Sequence, residues 1–248
     1  MQHLYSTIRC PGMRPGVRFF RDLAFLLILF PAILLGCGND REPAGPEGAG
    51  NTENTETFTF FHIGRNTVYS GSLRKNLQNQ LGSDAISGRS EINLEINFTR
   101  FLERNFPDVA ELNRRLNEPR GERVEHDVVK LMYRYAYKKN MPFDYVEILF
   151  SGFNNRPLLI RAEFKEEAGI LETLKQKYGQ PAVADWEKES GKSFYWKKEE
   201  DVMVYSRVPD RFGNPEYRVV IYFVENIQNL LKREAAQDEK KKTGRLAF

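Results

Sequence analysis

From residue 58 onward the sequence predicts an α+β fold, an antiparallel meandering sheet or sheets with helices packed on one face. Two observations carry this. Strand-like runs at 143–150 and 158–164 flank Ser-Gly-Phe-Asn-Asn-Arg-Pro, and three further runs follow a helix at about 168–178. Connections this short join antiparallel neighbours, and a half-apolar sheet needs helices to cover it.

The elements can be taken in order. Phe58, Phe60, Phe61 and Ile63 open the apolar sequence abruptly. Ser72 is a good N-cap for a short helix with Leu73, Leu77 and Leu81 on one face, and Gly82 closes it. Ile92, Leu94, Ile96 and Phe98 alternate with polar residues, the period of a half-buried strand. Asp108 with Glu111 resembles a capping box, opening a helix with Val109, Leu112 and Leu116 inside. A longer helix is predicted from about Glu122 to Lys139, with Val124, Val128, Leu131, Met132 and Tyr135 inward and a stop at Asn140 and Pro142. The 143–164 hairpin follows, then a helix with Ala168, Leu171, Leu174 and Tyr178, ended by Gly179 and Pro181. Ser193–Lys197, Asp201–Ser206 and Tyr217–Phe223 supply three strands, and Ile227, Leu230 and Leu231 mark a last helix. Residues 233–248 read as a charged, frayed tail containing Lys240–Lys242.

The N-terminal region is an address. Arg14, Arg18 and Arg21 precede an apolar run of 13 residues, Leu23 to Leu35, interrupted by Pro31. A spanning helix needs roughly 20 such residues, so the run reads as the core of a secretory signal peptide. The polar residues, Cys10 and Pro11 ahead of Met13 do not look like part of it, which makes Met13 the expected true start. The domain plan is therefore signal 1–36, tether 37–57, mixed region 58–140, strand-rich region 141–232 and tail 233–248. From Cys37 to Thr57 there is no large apolar side chain, so the tether should be disordered.

Leu34-Leu35-Gly36-Cys37 resembles the lipobox of bacterial lipoproteins. The resemblance implies cleavage between Gly36 and Cys37 and a lipid on the Cys37 sulfur, making the membrane the first partner. Gly38, where an inner-membrane retention signal would place aspartate, implies the periplasmic face of the outer membrane, or the outer face of the cell membrane in a single-membrane organism. The second half, with its hairpin, the Lys177-Tyr178-Gly179-Gln180-Pro181 stop and Trp196, resembles small secreted bacterial domains of unassigned function. The helix ending at Gly82 is similar to one in small outer-membrane-assembly lipoproteins.

Charge and cysteine content exclude several function classes. Cleavage removes four arginines and Asp22 from totals of 37 basic and 34 acidic residues, leaving the mature chain balanced, and nucleic-acid binding normally needs a concentrated positive field. Cys10 goes with the signal and Cys37 is consumed by lipid, so no thiol remains for disulfide, zinc or nucleophilic chemistry. No hydrolase, zinc-protease or phosphate-loop motif occurs, and neither a catalytic residue nor a cofactor is expected. Glu122, Glu125, His126 and Asp127 form a His/carboxylate cluster, with Glu122 and His126 one helical turn apart. Two ligands are too few for a metal site, and the cluster reads as a solvated helix face. His62 reads as a packed or edge residue of an aromatic strand.

The candidate partner or anion site is the loop around Arg207, Asp210 and Arg211, where guanidinium groups could grip a carboxylate. The bland alternative makes these residues shapers of two turns. The function expected is a lipid-anchored envelope protein acting as a non-catalytic interaction or structural module, partnered with other envelope proteins. The rivals are a small-molecule, glycan or lipid binder and a hydrolase with a dispersed site.

Overall fold

The computed structural model describes residues 57–96, 100–119, 121–135, 141–167, 169–186, 191–210 and 212–245, all within the unit Glu53–Phe248. The lipobox, the tether up to residue 56 and Arg211 lie outside the described residues.

The chain runs α1 (Gly71–Leu81), β1 (Ala85–Ser90), α2 (Phe101–Asn105), α3 (Pro107–Leu116), β2 (His126–Arg134), β3 (Phe143–Ser151), β4 (Pro157–Phe164), α4 (Ile170–Tyr178), β5 (Ala182–Asp185), β6 (Lys192–Lys198), β7 (Asp201–Pro209), β8 (Pro215–Tyr222) and α5 (Val224–Arg245). One 8-stranded sheet has the order β1-β2-β3-β4-β8-β7-β6-β5, and every neighbouring pair is antiparallel. The expected α+β class and antiparallel meander are present.

The sheet is built twice. In each half a helix ends at a glycine with positive φ, Gly82 at 86° and Gly179 at 83°, and three residues later the edge strand of a four-stranded meander begins. Glycine is required there because other residues resist that backbone region. The last strands of the two meanders, β4 and β8, pair antiparallel at the centre, Leu159 opposite Tyr222 through Phe164 opposite Tyr217. Strand order and direction thus repeat under a half-turn about an axis normal to the sheet, with α2 and α3 inserted after β1 in the first half.

Helices cover both faces, which corrects the expectation of one. Leu77 and Leu81 of α1 and Ile170 of α4 pack with Ile148, Ile160, Tyr205 and Ile221. Phe101 of α2, Val109, Leu112 and Leu116 of α3, and Ile227 and Leu230 of α5 pack with Leu149, Leu159, Val204 and Tyr222. Alternate residues of one strand, such as Ile221 and Tyr222, enter different cores. Runs like Val202-Met203-Val204-Tyr205 are apolar on both faces, so each face needs its own cover. Burying one such leucine or isoleucine contributes about 2 kcal/mol.

Two predicted elements change type. Within the predicted helix Glu122–Lys139, residues 126–134 form strand β2, residues 122–125 and 135 are irregular, and residues 136–139 lie outside the described residues. Apolar residues at 128, 131 and 132 fit helical spacing, but they fit equally a strand buried on both faces, and Val128-Val129 and Tyr133 favour the pleated surface. The predicted strand at 92–98 forms no strand and joins no sheet as far as Ile96, and residues 97–98 lie outside the described residues. Ile92, Leu94 and Ile96 are buried. Side chains replace the ladder: Asn113 Oδ1 accepts from the Leu94 amide at 2.8 Å, and Leu94 O accepts from the Tyr222 hydroxyl at 2.7 Å. Asn117 donates to Ile92 O at 3.1 Å, and Arg161 donates to Asn93 O at 3.0 Å and to Glu95 O at 3.3 Å. Buried backbone groups need partners of some kind, and here they come from α3 and the sheet face below.

Smaller shifts occur at the ends. Ser70, not Ser72, caps α1 by accepting from the Leu73 amide at 3.2 Å. Helix α3 has no side-chain cap; Pro107 sits in its first turn, and Glu111 pairs with Arg114 instead of closing a capping box. Helix α5 continues to Arg245 through the segment expected to fray.

Candidate functional site

Helix α3, the β6–β7 hairpin and α5 frame an open groove of about 500 Å³. Its construction begins at Phe106, which ends α2 by donating its amide to Leu102 O at 2.8 Å and opens α3 by accepting from the Ala110 amide at 2.9 Å. The Phe106 ring is held edge-on to Tyr195 at 5.0 Å, with the Lys197 ammonium 5.6 Å above it. The hairpin turns at Glu199, whose φ is 52°, bringing Lys198 opposite Asp201.

Asp201 fixes the hairpin to the start of α5. Its carboxylate is fully buried, accepting from the Val224 amide at 3.0 Å and from Arg65 Nε at 2.8 Å. Burial pushes the Asp201 carboxyl above its ordinary value although Arg65 pulls the other way. Arg65 also pairs with Glu199, and its carbonyl accepts from Asn226 of α5 at 2.9 Å. The segment preceding α1 therefore ties the hairpin and α5 together.

The groove has an apolar floor, Phe106, Val109, Leu112, Val202 and Val224, and a charged rim. On the rim Glu111 is taken by Arg114, Glu199 by Arg65, and Glu200 accepts from Gln228 at 3.3 Å. Lys197 and Lys232 form no ion pair among the described residues. No spacing in the sequence announces this arrangement; its walls come from three elements spread over more than 100 residues of sequence, and only the apolar face of α3 was readable.

The loop singled out from sequence is used for its own shape. Asp210 accepts from the Phe212 amide at 2.7 Å, from the Asn214 amide at 2.8 Å and from Asn214 Nδ2 at 3.2 Å. Against a desolvation penalty, these bonds hold its carboxyl below the ordinary value. Arg207 lies over the Tyr217 ring at 5.7 Å and pairs with Glu167 at 3.7 Å. Asp210 and Arg207 are on neighbouring positions of the same rim of the sheet but form no shared cluster, and Arg211 is outside the described residues.

The His126 cluster dissolves with the predicted helix. His126 opens β2 and is buried, Nδ1 lying 2.9 and 3.0 Å from the Glu234 oxygens and Nε2 2.8 Å from Leu116 O. Glu122 precedes the strand, so the helical-turn spacing between them is lost. Among the described residues no group of three His, Cys, Asp or Glu side chains could hold a metal. His62 sits exposed at a tight turn with φ 63°, between Phe60 and Ile63, which bridge each other.

A second polar cluster lies on the sheet. The buried Glu147 carboxylate accepts from Tyr145 at 2.8 Å and pairs with Lys130 at 2.8 Å and Arg161 at 3.2 Å. Burial pulls its carboxyl upward, but Arg161 and Lys130 outweigh that and hold it below its ordinary value. Such a group stays ionised near neutrality and has no proton to donate.

No family model matches the chain. No curated protein and no solved structure matches it either. No helix among the described residues is long and apolar enough to cross a membrane.

Proposed function

We propose that this is a lipid-anchored protein of the cell envelope, held by Cys37 at the periplasmic face of the outer membrane, whose folded part binds a partner without chemistry of its own. The observation that carries the binding reading is the open groove between α3, the β6–β7 hairpin and α5, a concave surface with a charged rim over buried apolar residues. Glu111 and Glu199 are paired within the protein, while among the described residues Lys197 and Lys232 of one sign, and Asp108 and Glu200 of the other, form no ion pair. A protein segment whose acidic residues meet Lys197 and Lys232 fits that rim.

A photo-crosslinking residue at Gln228 in living cells tests this. It should capture a discrete envelope protein, and changing Lys197 and Lys232 together to glutamate should abolish the capture while leaving thermal stability within about 0.5 kcal/mol, as for other surface changes. A crosslink that survives the double charge reversal would overturn the groove reading. Mass spectrometry of the mature N-terminus tests the anchor, which requires a diacylglycerol thioether on Cys37.

A further inference from the structure

His126 is the one buried histidine of the described residues, and its position is unusual: both ring nitrogens face acceptors. Nδ1 meets the Glu234 carboxylate of α5, and Nε2 meets the Leu116 carbonyl at the C-terminal end of α3. A neutral imidazole carries one N–H and can satisfy one of these; only the imidazolium donates to both. The carboxylate and the negative end of the α3 dipole both favour that charged form. Against the cost of burial, Glu234 and the Leu116 carbonyl raise the affinity of His126 for its second proton above that of an ordinary histidine.

Other charged groups nearby are engaged elsewhere. Glu125 pairs with Arg123 and Arg89, Asp127 lies against Gly152, and Arg233 of α5 stacks over Phe153 at 5.6 Å. Arg115 of α3 lines the groove. Past Leu231, Glu234 is the one half-buried side chain as far as Lys240.

The two helices joined by His126 are two of the groove's three walls: Leu112 and Arg115 on α3, Gln228 and Lys232 on α5. We propose that His126 and Glu234 form a protonation-dependent latch that clamps α5 to the end of α3 and so holds the groove at its closed width. When His126 loses its second proton, one of its two acceptors faces a lone pair, the clamp fails, and the outer part of α5 loosens from α3. The groove then opens at higher pH and closes at lower pH. This rests on the groove being the partner site, but the latch has readouts of its own.

The test uses the full mature chain in detergent with labelled histidine, the His126 signal assigned by its loss in His126→Gln. The His126 midpoint should lie above the ordinary value of about 6.5. Amide-exchange protection of Gln228–Lys232 and of the last turn of α3, corrected for intrinsic exchange, should fall at least about tenfold as pH rises through that midpoint. Glu234→Gln should lower the midpoint and move the loss of protection with it. A His126 midpoint at or below the ordinary value, or protection in α5 that ignores it, would overturn the latch. If protection follows His126 while crosslinks at Gln228 survive charge reversal of the rim, the latch stands and the partner reading falls.

Discussion

Trp196 donates its indole N–H to the carbonyl of Gly179 at 2.8 Å, joining the strand β6 to the glycine that ends α4. The ring is buried beside Tyr205 and Ile221 in the core under α1 and α4. Replacing Trp196 with alanine removes both the packing and the partner of a helix-end carbonyl, and should cost about 3–5 kcal/mol. Chemical denaturation of the purified protein measures it; a loss under about 1 kcal/mol would mean that the second half does not depend on this contact.

Gly152, at the start of the β3–β4 turn, has no room for a side chain. A Cβ there would stand 2.5 Å from Asp127 Oδ1 and 2.8 Å from the Asp127 carbonyl, to which the Gly152 amide also donates. The carboxylate can swing away but the carbonyl belongs to β2. Gly152→Ala should therefore destabilise by about 1–3 kcal/mol, in the range of overpacked sites, and should shift the amide resonances of Asp127 and Val128.

Glu147 should make the protein acid-sensitive. Its folded-state affinity for a proton is weakened, so its pairs with Arg161 and Lys130 stabilise the fold fully above the ordinary glutamate range of about 4.3, and the contribution is lost as pH falls through the lower folded value. Asp201 acts with the opposite sign, since burial raises its affinity for a proton and acid relieves that penalty. In Glu147→Gln the dependence of melting temperature on pH between about 5 and 3 should flatten, and stability at pH 7 should fall by about 2–4 kcal/mol because Lys130 and Arg161 lose their counter-charge. An unchanged acid limb would assign the acid response to other carboxylates.

Cys37→Ser should leave the precursor unlipidated. Blocked processing should leave a misplaced precursor that still carries the apolar segment Leu23–Leu35, which mass spectrometry of the N-terminus detects. In an organism with two membranes, density-gradient fractions should place the wild type with outer-membrane markers; recovery with inner-membrane markers would contradict the reading of Gly38.

Sequence carried the local signals of this fold well and the long-range ones poorly. Gly179 with Pro181, the 143–164 hairpin, and the strand-like runs at 193–197, 201–206 and 217–223 each state a backbone preference that the tertiary structure has no reason to override. Ala85–Ser90 and Ala182–Asp185 escaped notice because they are short, largely exposed edge strands without a run of large apolar side chains to betray them. Residues 126–134 misled because burial on both faces erases the two-residue period. The 92–96 segment misled in the other direction: its alternation is real, but its hydrogen bonds go to Asn113, Asn117, Arg161 and Tyr222, which no local pattern reveals. The groove was invisible for a similar reason, since Phe106, Val202 and Lys232 meet only after the sheet has formed. Asp210 shapes its own turn through three bonds to Phe212 and Asn214, a pattern local enough for Pro-Asp and Gly-Asn-Pro to suggest it.

The half-turn that relates the two meanders also fixes when the sheet can be finished. Strand β8, at its centre, is the last strand to leave the ribosome, although β4 beside it is made about 50 residues earlier. Until β8 arrives, β4 presents an apolar edge, Leu158-Leu159-Ile160, with its backbone groups open to any passing strand. A chain cut short before Pro215 would keep that edge open, so truncated molecules are the ones exposed to strand-to-strand association, and the full-length molecule covers the edge with its own last strand.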